Sequence, residues 1–404
     1  MDGRVKPGHD GLLLKMFSGT PITAYALCNA LGVATADVLR ALEAGKSGLK
    51  TCSLDLPFAA TTGELVGPLD SLPAAFAAFD NRQTRIAWRV LGELVTPIAR
   101  ARQRWGAERV AIVIGTSTSG IESTERAFGE FKRVGQLPAG YDWDRQHAPH
   151  AVLDVIRART GLAGPAFVIS TACSSSGKVF GTARRLLRAN LCDAVLVGGV
   201  DSLCQTTLRG FHSLEVLSPR ACRPFAQDRA GLNIGEGGAL LLLEREGEAL
   251  ARLLGVGETS DGHHMTAPRP DGAGARAAME QALAQAQLAP AQIDHINAHG
   301  TATLLNDAAE ASAIRALFGG DVPVASTKGY TGHLLGAAGA TEAIFAVAAL
   351  ERGWIPASIG CDPVDPALKI RVNPQRLARR CRHVLSNSFA FGGSNVSVLF
   401  GANA

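Results

Sequence analysis

The stretch FVISTACSSSGKVFGTARRLLRAN (167–190) has the same layout as VPVASTKGYTGHLLGAAGATEAIFAVAAL (322–350): an apolar strand, a Ser-Thr pair, a tight turn and a helix rich in small residues. A second pair of matching strings lies upstream: IGTSTSG (114–120) precedes the first stretch, and HGTATLL (299–305) precedes the second. Matching strings in a fixed order indicate an internal repeat, although short Gly- and Thr-rich strings also match by chance. We therefore predict two related halves, joined near residues 245–255.

Short apolar runs alternate with helical patterns along the chain, which predicts an α/β fold with buried parallel strands and helices on both faces. The candidate strands are 109–115, 165–170, 194–199, 238–244, 295–300 and 322–327. In such folds ligands bind beyond the carboxyl ends of the strands. If the halves are equivalent, Cys173 in the first and Lys328 and His333 in the second face one cleft.

Composition narrows the class of protein. A chain of 404 residues with 47% apolar residues can bury a large core, and its length suggests two or three domains. The 40 basic and 36 acidic residues give a net charge of +4, and the basic residues form no continuous tract. This excludes a nucleic-acid binder. A mildly basic surface suits a small acidic carrier protein, but it also suits an ordinary solvated exterior.

Cysteine usage and hydropathy indicate a cytoplasmic protein. The eight cysteines are scattered and contain no C-x-x-C pair, which fits a reducing compartment. The longest apolar runs fall well short of the roughly 18 residues that span a bilayer, so we expect no membrane segment. Residues 1–11 are polar and glycine-rich, and we expect a disordered extension over residues 1–16.

Cys173 precedes a predicted helix that carries arginines near its end. A helix amino terminus and basic neighbours lower the pKa of a thiol, which predicts a reactive thiolate suited to covalent catalysis. The alternative is an inert buried thiol, because free cysteines are among the most buried residues.

His299 and His333 lie in turns after predicted strands, where neutral imidazoles would donate hydrogen bonds to a developing oxyanion. A single histidine of this kind is more often structural, but two in repeat-related turns favour function. Lys328 would form an ion pair with Glu342, unless it is solvated. The adjacent His263 and His264 lack partners at a diagnostic spacing, so we expect no metal.

The segment SNSFAFGGSN (386–395) places Phe389 and Phe391 before paired glycines. Glycines allow backbone amides to approach a ligand closely, so this segment is a candidate oxyanion hole. A hairpin turn or bulge is the alternative.

Taken together, STACSSS, NAHGTAT, STKGYTGHLLGAAGATEA and SNSFAFGGSN resemble, in order, the signature blocks of the β-ketoacyl-acyl-carrier-protein synthases of ketosynthase I/II type. The resemblance covers residues 30–401. It implies a thiolase-like five-layered αβαβα fold made from duplicated halves. The first half, at 17–250, would carry the cysteine, and the second, at 251–404, both histidines.

The resemblance also implies the roles of the site residues. Cys173 would accept an acyl group as a thioester, with the amides of Cys173 and Phe391 as oxyanion hole. The pair His299 and His333 would stabilise the enolate formed by decarboxylation of malonyl carrier protein. The supporting residues it implies are Lys328 and Glu342 for condensation, Thr301 and Thr303 for pantetheine, Phe389 and Phe391 for the gate, and Phe211, Leu232 and Asn233 for the acyl pocket.

The resemblance implies an acyl carrier protein as partner and no cofactor of the enzyme's own, since the substrates ride on phosphopantetheine. It implies a homodimer, or a heterodimer with a chain-length-factor-like paralogue. Leu232 and Asn233 replace the usual Phe-Val, and HGTATLLND departs from the usual motif. We therefore expect an aryl-polyene or type II polyketide pathway as a rival to fatty-acid synthesis. Two alternatives stay open: a noncatalytic chain-length factor, and a thiolase or coenzyme A-primed synthase.

Overall fold

The computed structural model describes residues 19–403, so the extension expected at 1–16 lies outside the described residues. The strands are β1 (Thr20–Asn29), β2 (Lys50–Thr51), β3 (Thr61–Gly63), β4 (Val110–Gly115), β5 (Ala166–Ile169), β6 (Ala194–Asp201), β7 (Ile234–Gly235), β8 (Gly237–Glu244), β9 (Ala251–Ser260), β10 (His295–Asn297), β11 (Val324–Ala325), β12 (Trp354–Ile355), β13 (Leu377–Ala378), β14 (His383–Ala390) and β15 (Ser394–Ala402).

The α-helices are α1 (Thr35–Glu43), α2 (Arg82–Trp105), α3 (Ile121–Val134), α4 (Trp143–Gln146), α5 (Ala151–Thr160), α6 (Ser175–Arg188), α7 (Gln205–Ser213), α8 (Ala273–Ala286), α9 (Leu304–Phe318), α10 (Lys328–Thr331) and α11 (Ala338–Arg352). Short 3-10 turns include Leu335–Ala337 and Phe391–Gly393. None of the helices between residues 19 and 403 is long and apolar enough to cross a bilayer.

Ten strands form one sheet in the order β11-β10-β14-β15-β9-β1-β8-β6-β4-β5. Numbered within each half of the chain, both sets of five strands have the order 3-2-4-5-1. The sets join where Thr20–Ile22 pair with Ala251–Leu253. The repeated order confirms the predicted duplication. The division into domains after residue 250 stays a prediction, because both halves share this sheet.

The helices form three layers around the two sets of strands. Helices α6 and α11 contact each other and strands of both halves, so they fill the middle. Helices α2 and α5 cover the outer face of the first set, and α8 and α9 cover that of the second. This arrangement is the expected αβαβα fold.

The sheet is mixed, which corrects the expectation of parallel strands. Strand β4 pairs in parallel with β5 and β6, but β8 is antiparallel to both β6 and β1. All eight residues of β8 are buried. A strand covered on both faces shows the same unbroken apolar run in either direction, so the sequence did not reveal its orientation.

Two glycines set the distance between the central helices. A Cβ atom on Gly339 of α11 would lie 2.6 Å from the backbone nitrogen of Gly177 in α6, and one on Gly177 would lie 2.5 Å from Cγ1 of Val396. The backbones are therefore in direct contact. This contact fixes the first turn of α6, and Cys173 lies immediately before that turn.

Gly339→Ala is expected to destabilise the protein by about 1–3 kcal/mol, because the added methyl group overpacks a contact that backbone atoms cannot relieve. Urea unfolding measures the change. The control is Gly129→Ala in α3, where a Cβ would meet nothing within 4 Å. There alanine is expected to stabilise the helix by about 0.5–1 kcal/mol. A Gly339→Ala protein as stable as Gly129→Ala would contradict the packing argument.

Candidate active site

Cys173 lies in a tight turn between β5 and α6. Ala172 has φ of +51°, a left-handed conformation that is strained for a residue with a Cβ. Hydrogen bonds hold the turn: the Ser175 hydroxyl donates to the Ala172 carbonyl at 2.6 Å and accepts from the Thr171 amide at 2.9 Å. The turn therefore fixes the position of the Cys173 side chain.

His299 follows β10 and is held by a carboxylate. The amides of His299 and Gly300 donate to the two oxygens of Glu310 at 2.9 and 2.8 Å, and Asn387 donates to the same carboxylate at 3.2 Å. The sequence analysis missed Glu310. The available signal was its spacing, since Asp307 and Glu310 lie three residues apart on the buried face of the alanine-rich helix α9.

His333 is held by backbone groups on both sides. Its amide donates to the Asn233 carbonyl at 2.7 Å, and its Nδ1 accepts the Leu335 amide at 3.2 Å. In a neutral imidazole that accepts at Nδ1, the proton sits on Nε2. His333 therefore offers an N–H donor at Nε2, which is buried and has no hydrogen-bond partner among residues 19–403.

The structure brings Cys173, His299 and His333 together. One potential ligand atom from each residue lies within 4.8 Å of the others. The two imidazole rings are 5.2 Å apart between centroids and nearly perpendicular. The repeat-based prediction that turns from both halves meet in one cleft is thus confirmed.

The predicted low pKa of the Cys173 thiol is wrong. Burial raises this pKa to about 11, and the charge of Lys328 and the amides of Phe391 and Cys173 lower it by less. The sequence indicated the helix terminus and the basic neighbour, but not how completely the thiol is withdrawn from water. The free enzyme therefore holds a thiol, and its proton must leave during acyl transfer.

The prediction of neutral imidazoles agrees with the structure. Burial lowers the pKa of His299 and of His333 well below the ordinary value of histidine, and the positive charge of Lys328 lowers both further. A charged imidazole next to a buried ammonium group would be costly. Both rings are therefore neutral near pH 7.

Alkylation of Cys173 by iodoacetamide is expected to accelerate about tenfold per pH unit between pH 7 and 9.5, because below its pKa the thiolate fraction rises tenfold per unit. Mass spectrometry of the tryptic peptide follows the rate. A rate that levels off near pH 7.5 would mean a low thiol pKa, as the sequence alone suggested. Alkylation of N-acetylcysteine under the same conditions controls for the reagent.

Lys328 and Glu342 form the expected ion pair. The Nζ and Oε1 atoms are 2.5 Å apart, and both side chains are buried. Burial raises the pKa of Glu342, and the positive charge of Lys328 opposes that change. The pair places a fixed positive charge near the thiol and both imidazoles.

Two cavities meet at Cys173. An access channel of about 400 Å³ is lined by His299, His333, Thr301, Thr303 and Phe389, and a second cavity of about 440 Å³, the chamber, adjoins it. The residues that line both cavities are Cys173, Phe211, Leu214 and Phe391. The Cys173 sulfur therefore lies where the channel and the chamber meet.

Phe211 and Phe391 stack at this junction, with centroids 5.6 Å apart. Phe391 lies in the turn between β14 and β15, so the segment is a hairpin, and its amide also lies close to the Cys173 sulfur. The hairpin reading is confirmed, and the role of the Phe391 amide in an oxyanion hole stays a prediction. In the channel, Thr301 and Thr303 hydrogen-bond to each other at 2.9 Å.

The expected pocket role of Asn233 is wrong. Its Oδ1 accepts the Cys222 amide at 2.6 Å, and its Nδ2 donates to the carbonyls of Ser218 and Arg220, each at 3.0 Å. The polar atoms of the Asn233 side chain are therefore hydrogen-bonded to backbone groups and cannot make the chamber polar. Leu232 lines the access channel rather than the chamber.

The spacing of the three side chains would also suit a metal ion, since cysteine and histidine are common zinc ligands. The remaining nitrogen of His333, however, carries its proton, because Nδ1 accepts from Leu335. A metal ion bound at Nε2 would force that proton onto Nδ1, where it would face the N–H group of Leu335. The arrangement therefore favours a hydrogen-bonding role.

Known proteins match along the chain. Residues 69–249 match the beta-ketoacyl synthase N-terminal domain and residues 250–362 its C-terminal domain. The 3-oxoacyl-[acyl-carrier-protein] synthase 2 of Mycobacterium tuberculosis is 32% identical over 417 aligned residues, which cover 96% of this chain and 98% of the relative. The chain belongs to the β-ketoacyl synthase family.

Other members of the family agree. The mitochondrial 3-oxoacyl-[acyl-carrier-protein] synthase of Arabidopsis thaliana is 39% identical over 267 residues, 61% of this chain and 58% of the relative. The structure of the ketosynthase ApeO in complex with its chain length factor ApeC from Xenorhabdus doucetiae covers 98% of this chain and all of that chain, with 38% identity and a TM-score of 0.90. The resemblance drawn from the sequence is confirmed, and with it an acyltransferase that forms carbon–carbon bonds.

Proposed function

We propose that this β-ketoacyl synthase condenses malonyl carrier protein with an acyl group held on Cys173. The observation that carries the proposal is the position of Cys173, His299 and His333 at the junction of a channel and a chamber. The channel would take the pantetheine arm past Thr301 and Thr303. The chamber would take the acyl chain.

In the first half-reaction the thiol attacks the carrier thioester. The Cys173 proton passes to His299, because Nε2 of His333 already carries a proton. His299 gives this proton to the carrier sulfur, which leaves as a thiol when its bond to the acyl carbon breaks and the bond from that carbon to the Cys173 sulfur forms. The amides of Cys173 and Phe391 stabilise the oxyanion.

In the second half-reaction malonyl carrier protein loses carbon dioxide, and the broken carbon–carbon bond leaves an enolate. The Nε2–H of His333 and the ring of His299 stabilise the enolate oxygen. The enolate carbon attacks the acyl carbonyl, the bond from that carbon to the Cys173 sulfur breaks, and the thiolate that leaves takes a proton from water. The fixed charge of Lys328, held by Glu342, favours the developing negative charge.

We infer that the working enzyme pairs with a second subunit of the chain-length-factor kind. The similarity to ApeO, solved in complex with its chain length factor, supports this inference. So does an open sheet edge at β5, where Phe167 is exposed, and so do the exposed side chains of Phe128 and Phe131 on α3. A homodimer is the alternative, and the presence of all three site residues argues against a noncatalytic subunit.

We extend the proposal to the acyl chain, which would be a polyunsaturated chain of an aryl-polyene or type II polyketide pathway. We also propose that the enzyme acts in the cytoplasm and without a cofactor of its own. The eight cysteines, all unpaired, fit a reducing compartment.

The experiment compares acylation of the purified protein by saturated and polyunsaturated acyl carrier proteins, alone and after co-expression with a neighbouring chain-length-factor gene. Preferential acylation by polyunsaturated chains is expected. Equal or better use of saturated chains would overturn the pathway, whereas acylation by neither class would overturn the reaction itself.

A further inference from the structure

Strand β6 ends in a buried carboxylate that takes no part in the two proposed half-reactions. Asp201, the last residue of β6, is fully buried. Its oxygens accept the amides of Ser117 and Thr118, each at 3.0 Å, and the hydroxyl groups of Thr116 at 2.6 Å, Thr118 at 2.8 Å and Ser117 at 3.1 Å. A buried carboxylate is costly unless it is hydrogen-bonded, so these donors make its burial possible. The carboxylate in turn fixes the loop at 116–118.

This loop contacts the turn that follows His333. The Ser117 hydroxyl donates to Oδ2 of Asp201 and accepts the Gly336 amide at 3.1 Å, so one hydroxyl group joins the two halves of the chain. Gly336 also lies against the carboxylate, since a Cβ there would be 2.6 Å from Oδ2 of Asp201. Glycine allows this close approach. Asp201 and Ser117 together therefore hold the 3-10 turn Leu335–Ala337.

The same turn sets the position of the proton on His333. Leu335 has φ of +53°, a left-handed conformation that is strained for a residue with a Cβ. Its amide donates to Nδ1 of His333, and the next amide, that of Gly336, donates to Ser117. Because these two amides lie on either side of Leu335, the bond at Gly336 keeps the Leu335 amide directed at the imidazole. An imidazole that accepts at Nδ1 carries its proton on Nε2.

We propose that Asp201 is a positioning residue for condensation, which acts through Ser117 and the turn Leu335–Ala337 to keep the Nε2–H of His333 available to the enolate. The inference rests on the proposed function. Asp201 itself lines neither the channel nor the chamber, so its effect on the reaction passes through the hydrogen bonds described above.

A buried carboxylate also fixes the surroundings of the other imidazole. Glu310 accepts the amides of His299 and Gly300 directly. Asp201, in contrast, reaches His333 through a hydroxyl group and a turn. This difference makes the proposal testable, because the Ser117 hydroxyl can be removed without removing a charge or replacing either histidine.

The test is Ser117→Ala, with the tautomer of His333 observed by nitrogen NMR of protein labelled on its histidine rings. Comparison with His333→Ala assigns the signals. The wild-type protein is expected to carry the proton on Nε2. Loss of the hydrogen bond to the turn is expected to populate the tautomer protonated at Nδ1. Condensation should then fall about fivefold or more, while acylation of Cys173 changes by less than about twofold.

The matched control is Thr118→Ala. The Thr118 hydroxyl donates to the same carboxylate, and the Ser117 and Thr118 side chains both line the chamber, so an effect on chain binding is common to both variants. In the part of the chain that the structure describes, however, the Thr118 hydroxyl makes no hydrogen bond to the turn. Thr118→Ala is therefore expected to keep the wild-type tautomer and the wild-type ratio of condensation to acylation.

An unchanged tautomer in Ser117→Ala, or a changed tautomer with an unchanged ratio of condensation to acylation, would overturn the role of Asp201. Equal effects of Ser117→Ala and Thr118→Ala on that ratio would overturn it as well. Asp201→Ala is expected to change the tautomer in the same direction, and circular dichroism checks its fold; a folded variant with the wild-type tautomer would contradict the proposal.

Failure of the proposed function gives a different result. If the wild-type protein forms no acyl-enzyme, or forms one that it does not condense, the proposed reaction is wrong. The tautomer of His333 is observed without substrate, so it still reports whether Asp201 and Ser117 control the imidazole.

Discussion

Replacing Cys173 by alanine is expected to remove acyl-enzyme formation completely and to lower condensation by about a thousandfold or more. The sulfur is the group that receives the acyl chain, and the other residues that line both cavities, Phe211, Leu214 and Phe391, have no nucleophilic side chain. Intact-mass spectrometry after mixing with acyl carrier protein measures the adduct, and product analysis measures condensation.

The same variant keeps both imidazoles, so it is expected still to decarboxylate malonyl carrier protein. The matched control is Cys192→Ala, a buried cysteine beyond the far end of α6. It is expected to retain the acyl adduct and condensation. If Cys173→Ala still acquired an acyl group and condensed it unaided, the assignment of the acyl acceptor would be wrong.

Replacing the two histidines one at a time is expected to affect the two half-reactions differently. His333→Ala removes an N–H donor that can stabilise the enolate but cannot accept the thiol proton. We expect condensation to fall about a thousandfold while acylation of Cys173 stays within about threefold. His299→Ala removes the group that accepts the proton from a thiol of pKa about 11, so both steps should slow.

Single-turnover acylation followed by addition of malonyl carrier protein separates the two rates. Circular dichroism of each variant checks the fold, because both histidines are buried. Equal losses of acylation in His333→Ala and His299→Ala would contradict the tautomer inferred from the Leu335 amide.

The fold was largely predictable from the sequence because the repeat could be read directly. Strings such as STACSSS and STKGYTGH mark equivalent turns, and equivalent turns in a duplicated α/β fold meet in one cleft. The direction of β8 was not predictable, since a fully buried strand shows the same apolar run in either orientation.

The site residues were predictable as types, but not their environment. The pKa of Cys173 depends on burial by segments distant in sequence, and no local pattern reports it. Asn233 reads as a polar pocket residue, yet its side chain is bound to backbone groups of residues 218–222 and its carbonyl holds His333. Glu310 acts through backbone amides, so the only sequence signal for it was its spacing from Asp307 on the buried face of α9.

The measurement that tests the central claim most directly is the intact mass of the wild-type protein, taken after acyl carrier protein is added and again after malonyl carrier protein. We expect the mass to rise by one acyl group, which peptide mapping places on the peptide containing Cys173, and then to fall back as the carrier gains a β-ketoacyl chain two carbons longer. An acyl adduct on another residue, or an adduct that malonyl carrier protein fails to discharge, would contradict it.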